Sequence, residues 1–277
     1  MTTFTTTGIA YDHAGPRHTT PLVLIHAGIA DRRMWDPQWS ALTAERQVLR
    51  LDLRGFGESV TRPDDALDPI ADVVATLSDA GIESCDLVGA SFGAGVAVEV
   101  ALTHPELVRS LLLTAPGGSL IPDATAEEQP ELHAFVEAED AALEAGDLDA
   151  AADADVRWWV DSPRREPDQV DPAVRELVRQ MQCRAFELTD DWDEIVEHEL
   201  DPPALERLSE IRVPTLVLLG TLDLDAIHDA ARRVVEGITG ARRVDWDDVA
   251  HLPSMERPAD FCALMERWLD GHHIAHS

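Results

Sequence analysis

Two hydrophobic rhythms alternate along the chain. Uninterrupted apolar runs occur at Leu22-Val23-Leu24-Ile25, Leu87-Val88 and Leu216-Val217-Leu218-Leu219, and apolar-rich stretches broken by polar residues, over 47–53 (Arg50, Asp52) and 108–114 (Arg109, Ser110), predict two further strands. Runs of that length without polar alternation predict strands buried on both faces. Between them, apolar residues recur every three or four positions over 35–45, 65–80, 92–102, 226–236 and 258–270, the mark of helices with one buried face. A threonine-rich start over 3–11, broken by Gly8, predicts a pair of short edge strands, and 242–246 predicts a further strand. Strands alternating with helices imply a mostly parallel sheet covered by helices.

The rhythm breaks at Pro116-Gly117-Gly118. From 120 to 207 the pattern predicts no strand, only helices over 127–144, 147–160, 173–188 and 203–211, some separated by proline-bearing loops at Ser162-Pro163 and Asp201-Pro202-Pro203. The expectation is an α/β core made of 1–119 and 208–277 with a helical cap, 120–207, inserted into it. The tail 271–277, with three histidines, is expected to be a disordered end.

Charge narrows the functions in play. Among 277 residues there are 53 acidic and 22 basic side chains, a formal net charge of −31, and every basic residue is arginine. Such a field opposes binding to nucleic acid or to an anionic membrane surface, both polyanions. Cys85, Cys183 and Cys262 are far apart with no metal-ligand spacing, which predicts reduced, buried thiols and no metal site. No basic segment followed by an apolar one opens the chain, and no apolar run reaches membrane-spanning length, so a cytoplasmic protein is expected. A homodimer stays open.

Gly89-Ala90-Ser91-Phe92-Gly93 carries the chemistry. A serine between a strand and a helix, with glycine two residues before and after it, fits a nucleophile elbow, where small neighbours let backbone pass a sharp turn. A serine needs a base, and the base an orienting acid. Asp223 follows the apolar run at 216–219, and His251 lies in a loop between the last strand and the last helix. Ser91, Asp223 and His251 thus all fall at the carboxyl edge of the sheet, in the order nucleophile, acid, histidine. Asp225 rivals Asp223, and His228 is a weaker base candidate. The backbone N–H of Phe92 at a helix start, and that of Gly28 after the first long strand, suit an oxyanion hole, with Ala27 as the alternative to Gly28. His26 is expected to brace that loop. In the cap, Trp158 and Trp159 are candidates for substrate contact. Adjacent helical residues point roughly 100° apart, so at most one should face the site.

Five stretches arrive in order across nearly the whole core: His26-Ala27-Gly28, Asp52-Leu53-Arg54-Gly55-Phe56-Gly57-Glu58-Ser59, Gly89 to Gly93, Gly220-Thr221-Leu222-Asp223 and His251 to Pro258. With them the chain resembles the α/β-hydrolase fold family, and in particular its small capped members: enol-lactonases, C–C bond hydrolases and cofactor-free haloperoxidases. The resemblance implies a triad of Ser91, Asp223 and His251, the insertion as lid, and no cofactor. The family often has His-Gly where this chain has His26-Ala27. Relatives that are haloalkane dehalogenases or epoxide hydrolases use aspartate at the position of Ser91. The expected function is therefore a serine hydrolase acting on a carboxylic ester or lactone of a small, largely apolar substrate. A C–C bond hydrolase with the same triad and a hydrolase-fold ligand receptor are the alternatives.

Overall fold

A computed structural model of the chain describes residues 2–122, 125, 127–192 and 195–273. Ten strands are formed: β1 Thr3–Phe4, β2 Ala10–Ala14, β3 Leu22–Ile25, β4 Val48–Leu51, β5 Ala66–Leu67, β6 Cys85–Ala90, β7 Val108–Thr114, β8 Val196–Glu197, β9 Thr215–Gly220 and β10 Arg242–Trp246. Among the described residues, eight of them make one sheet in the order β1-β2-β4-β3-β6-β7-β9-β10. The β1–β2 and β2–β4 pairs are antiparallel and the other pairs parallel. β3, β4, β6 and β9 are buried at every residue, Arg50 of β4 and Asp86 of β6 included.

The helices are α1 Asp36–Glu45, α2 Pro69–Asp79, α3 Phe92–Thr103, α4 Pro130–Glu144, α5 Leu148–Asp155, α6 Pro172–Thr189, α7 Ala204–Arg207, α8 Asp225–Gly237, α9 Pro253–Glu256 and α10 Pro258–His273. Several boundaries differ from the periodicity. The helix expected over 65–80 begins at Pro69, because Asp68 caps it by accepting from Ala71 N at 2.9 Å and proline sets its first turn. Ala66 and Leu67 instead form β5, paired in parallel with β8, so the segment 120–207 does contain a two-residue strand. The helix expected over 147–160 ends at Asp155 and widens into a π turn, Val156–Asp161. At the C-terminus, α10 runs on to His273, past the expected end at 270, and 274–277 lie outside the described residues.

Sheet topology fixes where a site can form. From β3 the chain goes to β4 on one side, then crosses back past β3 to β6 on the other. Loops leaving β3 and β6 therefore diverge and open a crevice beyond their carboxyl ends. Register keeps those ends level: Ile25 lies opposite Gly89, Ala90 opposite Thr114, and Gly220 opposite Trp246. The turn after β4 buttresses this edge. Asp52, fully buried, pairs with Arg32 and accepts from Glu58 N at 2.8 Å, and a Cβ on Gly57 (φ +53°) would lie 2.3 Å from its carboxylate. Among the described residues no helix is long and apolar enough to cross a membrane.

Candidate active site

Ser91 sits between β6 and α3 with φ 51° and ψ −116°, a conformation costing about 1–3 kcal/mol in a non-glycine residue. Its two flanking glycines explain how the turn closes. A Cβ on Gly89 would lie 2.3 Å from Gly93 O, and one on Gly93 would lie 2.3 Å from His26 O, so the elbow rests directly on the end of β3. Ser91 N donates to Thr114 O at 2.9 Å, while Ser91 O accepts from Ala94 N at 2.8 Å and Gly117 N at 3.1 Å. The turn is held on both sides.

Asp223 and His251 come from the ends of β9 and β10. A Cβ on Gly220 would lie 2.2 Å from Ala250 O and 2.3 Å from Val249 O, so glycine lets the histidine loop lie against β9. Both side chains are 1% exposed. His251 Nε2 is 2.7 Å from Ser91 Oγ, and Nδ1 is 2.8 Å and 3.0 Å from the two Asp223 oxygens. A carboxylate only accepts, so Nδ1 carries the proton and Nε2 is left to receive one from the hydroxyl. Leu224 N also donates to Asp223 Oδ1 at 2.8 Å. Asp225, the rival acid, turns outward: its side chain is 82% exposed and pairs with Arg164 at 2.7 Å. His228 lies on α8, away from this relay.

The loop after β3 approaches the start of α3 closely, since a Cβ on Gly28 would meet Phe92 Cβ at 3.3 Å. Phe92 begins α3, where N–H groups lack helical partners and the helix dipole is positive. Ala27 N donates to Met34 Sδ at 3.3 Å, which favours Gly28 of the two candidate donors. His26 braces this loop. Its Nδ1 donates to Ala27 O and its Nε2 accepts from Leu53 N, both at 2.8 Å, and burial lowers its pKa, which keeps the ring neutral.

Of the two adjacent tryptophans, Trp159 reaches this group of residues. Its ring centroid is 4.5 Å from that of His251 and 5.2 Å from that of Phe135, and its carbonyl accepts from His251 N at 3.4 Å. Trp158 is half-buried against the apolar core. The arginines of 157–184 are engaged. Arg157 donates to Ser162 O at 2.6 Å, Arg179 pairs with Asp149 and Asp153, and Arg184 with Glu187. Arg164 bonds Asp223 O at 2.5 Å and Arg165 pairs with Glu256 at 2.6 Å. The last two contacts, like the Ser162 hydroxyl bound to Leu222 O, carry no period or motif in the sequence. No cluster of three or more metal-ligating side chains occurs among the described residues.

Known proteins resemble the chain at two levels. A 2-hydroxymuconate semialdehyde hydrolase from a Pseudomonas species is 39% identical over 109 residues, 37% of this chain and 38% of that protein, well short of two thirds of its length. A pimeloyl-[acyl-carrier protein] methyl ester esterase from Neisseria meningitidis is 26% identical over 92% of this chain and 96% of its own. Among solved structures, the enol-lactonase from Burkholderia xenovorans LB400 covers 98% of this chain and 100% of its own, with TM-score 0.71 at 24% identity, a likeness of fold. The sequence profile of the alpha/beta hydrolase family runs from residue 22, the first residue of β3, to residue 264 within α10, and the chain belongs to that family.

Proposed function

We propose that the chain is a serine hydrolase that cleaves a carboxylic ester or lactone of a small, largely apolar substrate. One observation carries the reading: the unbroken relay from Ser91 Oγ through His251 to the buried Asp223 carboxylate, 2.7 Å and 2.8 Å at its two steps. Ser91 Oγ attacks the substrate carbonyl as His251 Nε2 takes its proton, and Asp223 fixes the imidazole and stabilises its charged form. The N–H groups of Phe92 and Gly28 receive the developing oxyanion. His251 returns the proton to the leaving oxygen. A water then enters by the same route and releases the acid.

Two features support an apolar, uncharged substrate. Trp159, backed by Phe135, lays aromatic surface against His251, and such surface excludes water from the reacting carbonyl. The arginines nearby are paired with carboxylates or backbone carbonyls, within a chain of net charge −31. The local identity to a 2-hydroxymuconate semialdehyde hydrolase favours a second reading, C–C bond cleavage with the same three residues.

The test is a panel of short acyl esters, lactones and vinylogous diketones against wild type and Ser91→Ala, with one ester matched in neutral and carboxylate-bearing forms at low and high salt. Turnover of an ester or lactone that falls to background in Ser91→Ala is expected, with the neutral ester preferred. Undiminished turnover by Ser91→Ala contradicts the reading, and turnover of diketones alone moves it to C–C cleavage. Preference for the anionic ester at both salts would assign recognition to a specific arginine.

A further inference from the structure

We propose that the turn comprising Trp159, Ser162, Arg164 and Arg165 is a positioning element that holds the acid and the base of the relay in register, a role that rests on the serine-hydrolase reading. Its contacts fall on the backbone beside Asp223 and His251. Ser162 Oγ donates to the carbonyl of Leu222, the residue before the acid, and Arg164 donates to Asp223 O itself at 2.5 Å. Trp159 O accepts from His251 N at 3.4 Å. The N–H just before, Ala250 N, donates to Glu256 Oε1 at 2.9 Å, and the other Glu256 oxygen is held by Arg165 at 2.6 Å. Arg165 also reaches Asp248 O at 3.3 Å in the same loop. Two consecutive N–H groups, those of the base and its predecessor, are thus anchored to one turn, directly or through Glu256.

Three further observations separate this role from mere sealing of a surface. First, the side chains of Arg165 and Glu256 are largely withdrawn from solvent, 6% and 9% exposed. Such a pair adds little net stability, while removing one partner leaves the other charge uncompensated, so its contribution here lies in fixing the geometry of the loop before His251. Second, α5 opens into the π turn at Val156–Asp161, and the freed carbonyls of Val160 and Asp161 accept from Arg165 at 2.5 Å and 2.8 Å. Such widenings recur at functional sites. Third, the non-glycine residues with positive φ among those described are Ser91 (51°), Ala115 (45°), Ser162 (69°) and Asp248 (62°). Ser91 and Ala115 form the elbow and its neighbouring strand end, while Ser162 and Asp248 form the two faces of this contact. Strain of that kind persists where surrounding structure over-determines it.

Neither Arg165 nor Ser162 touches Ser91 in this structure, so loosening them should disturb the chemical step and spare ground-state binding. The experiment measures kcat and KM for p-nitrophenyl butyrate in wild type, Ser91→Ala, Arg165→Met and Ser162→Gly, with thermal melts of each. Ser162→Gly removes the hydroxyl and relieves the strained φ, so it keeps the test alive if Arg165→Met does not fold. The expected result is a fall in kcat of about tenfold or more with KM within about twofold, since sub-ångström misplacement of a catalytic group is enough for that loss. Glu256→Gln added to Arg165→Met should lower kcat little further, because both act through one contact. Wild-type kcat in the turn variants, or a loss confined to KM, overturns the proposal while leaving the relay standing. Full turnover by Ser91→Ala brings down the hydrolase reading instead, and this role with it.

Discussion

Asp223 and Asp225 stand two residues apart with the same side chain, and packing separates them completely. Asp223 is sequestered against His251, and Asp225 lies in solvent with Arg164. Asp223→Asn should lower kcat by about 10⁴-fold, because an amide facing Nδ1 favours the wrong imidazole tautomer. Asp225→Asn should change it by less than about threefold, the scale of an exposed ion pair. Steady-state kinetics on the two variants decides between them, and the reverse ranking would reassign the acid. The candidate residues Ser91 and Asp223 were legible in the sequence because each follows a short apolar strand run, and His251 because it falls in the loop between the last strand and the last helix, in the order nucleophile, acid, histidine. Gly28 was legible only as one of two small residues. The Met34 sulfur that engages Ala27 N, and so separates the two, comes from a turn seven residues on. Ser162 and Arg165 sit in a polar Ser-Pro-Arg-Arg stretch that reads as a solvated loop; their partners, Leu222 and Glu256, are 60 and 91 residues away.

The helices between 120 and 207 follow their apolar period but not its limits. Asp155 is wholly buried where α5 widens, close to Glu139 of α4 and Gln182 of α6, and neither of its oxygens has a well-aligned donor among the described residues. Burial, reinforced by Glu139, pushes its carboxyl well above the usual range, and burial also raises Glu139. The folded chain therefore holds a proton that the unfolded chain releases near pH 4, roughly. That stabilisation is complete below the unfolded-state value and is lost as pH rises through the folded-state value. Asp155→Asn removes the titration while keeping the shape. Its melting temperature should exceed wild type by about 2–4 °C at pH 8, the scale of 1 kcal/mol in a chain this size, and the difference should vanish near pH 4. A variant less stable than wild type at pH 8 would show that the carboxylate is needed as an anion. An aspartate in a helical run reads as a solvated face, so neither its burial nor the π turn was legible. The β5–β8 pair escaped for a related reason, since two residues carry no alternation and their pairing is purely tertiary.

At the scale of the whole molecule, alternation of strand and helix was enough to predict a covered, mostly parallel sheet. It was not enough to give strand order, which depends on the return of the chain past β3 to β6. That return matters most for function, because it sets the loop carrying Gly28 beside the elbow carrying Ser91. The acidity of the chain is handled locally: arginines such as Arg32 are tied into carboxylates, here Asp12, Asp52 and Glu58. The central claim is that this assembly makes one serine nucleophilic. The most direct test is intact-mass and peptide analysis after treatment with a serine-directed fluorophosphonate, which reacts only with an activated hydroxyl. A single adduct on the peptide containing Ser91, absent in Ser91→Ala, is expected. An unlabelled protein beside a labelled control hydrolase, or an adduct on another residue, would contradict it.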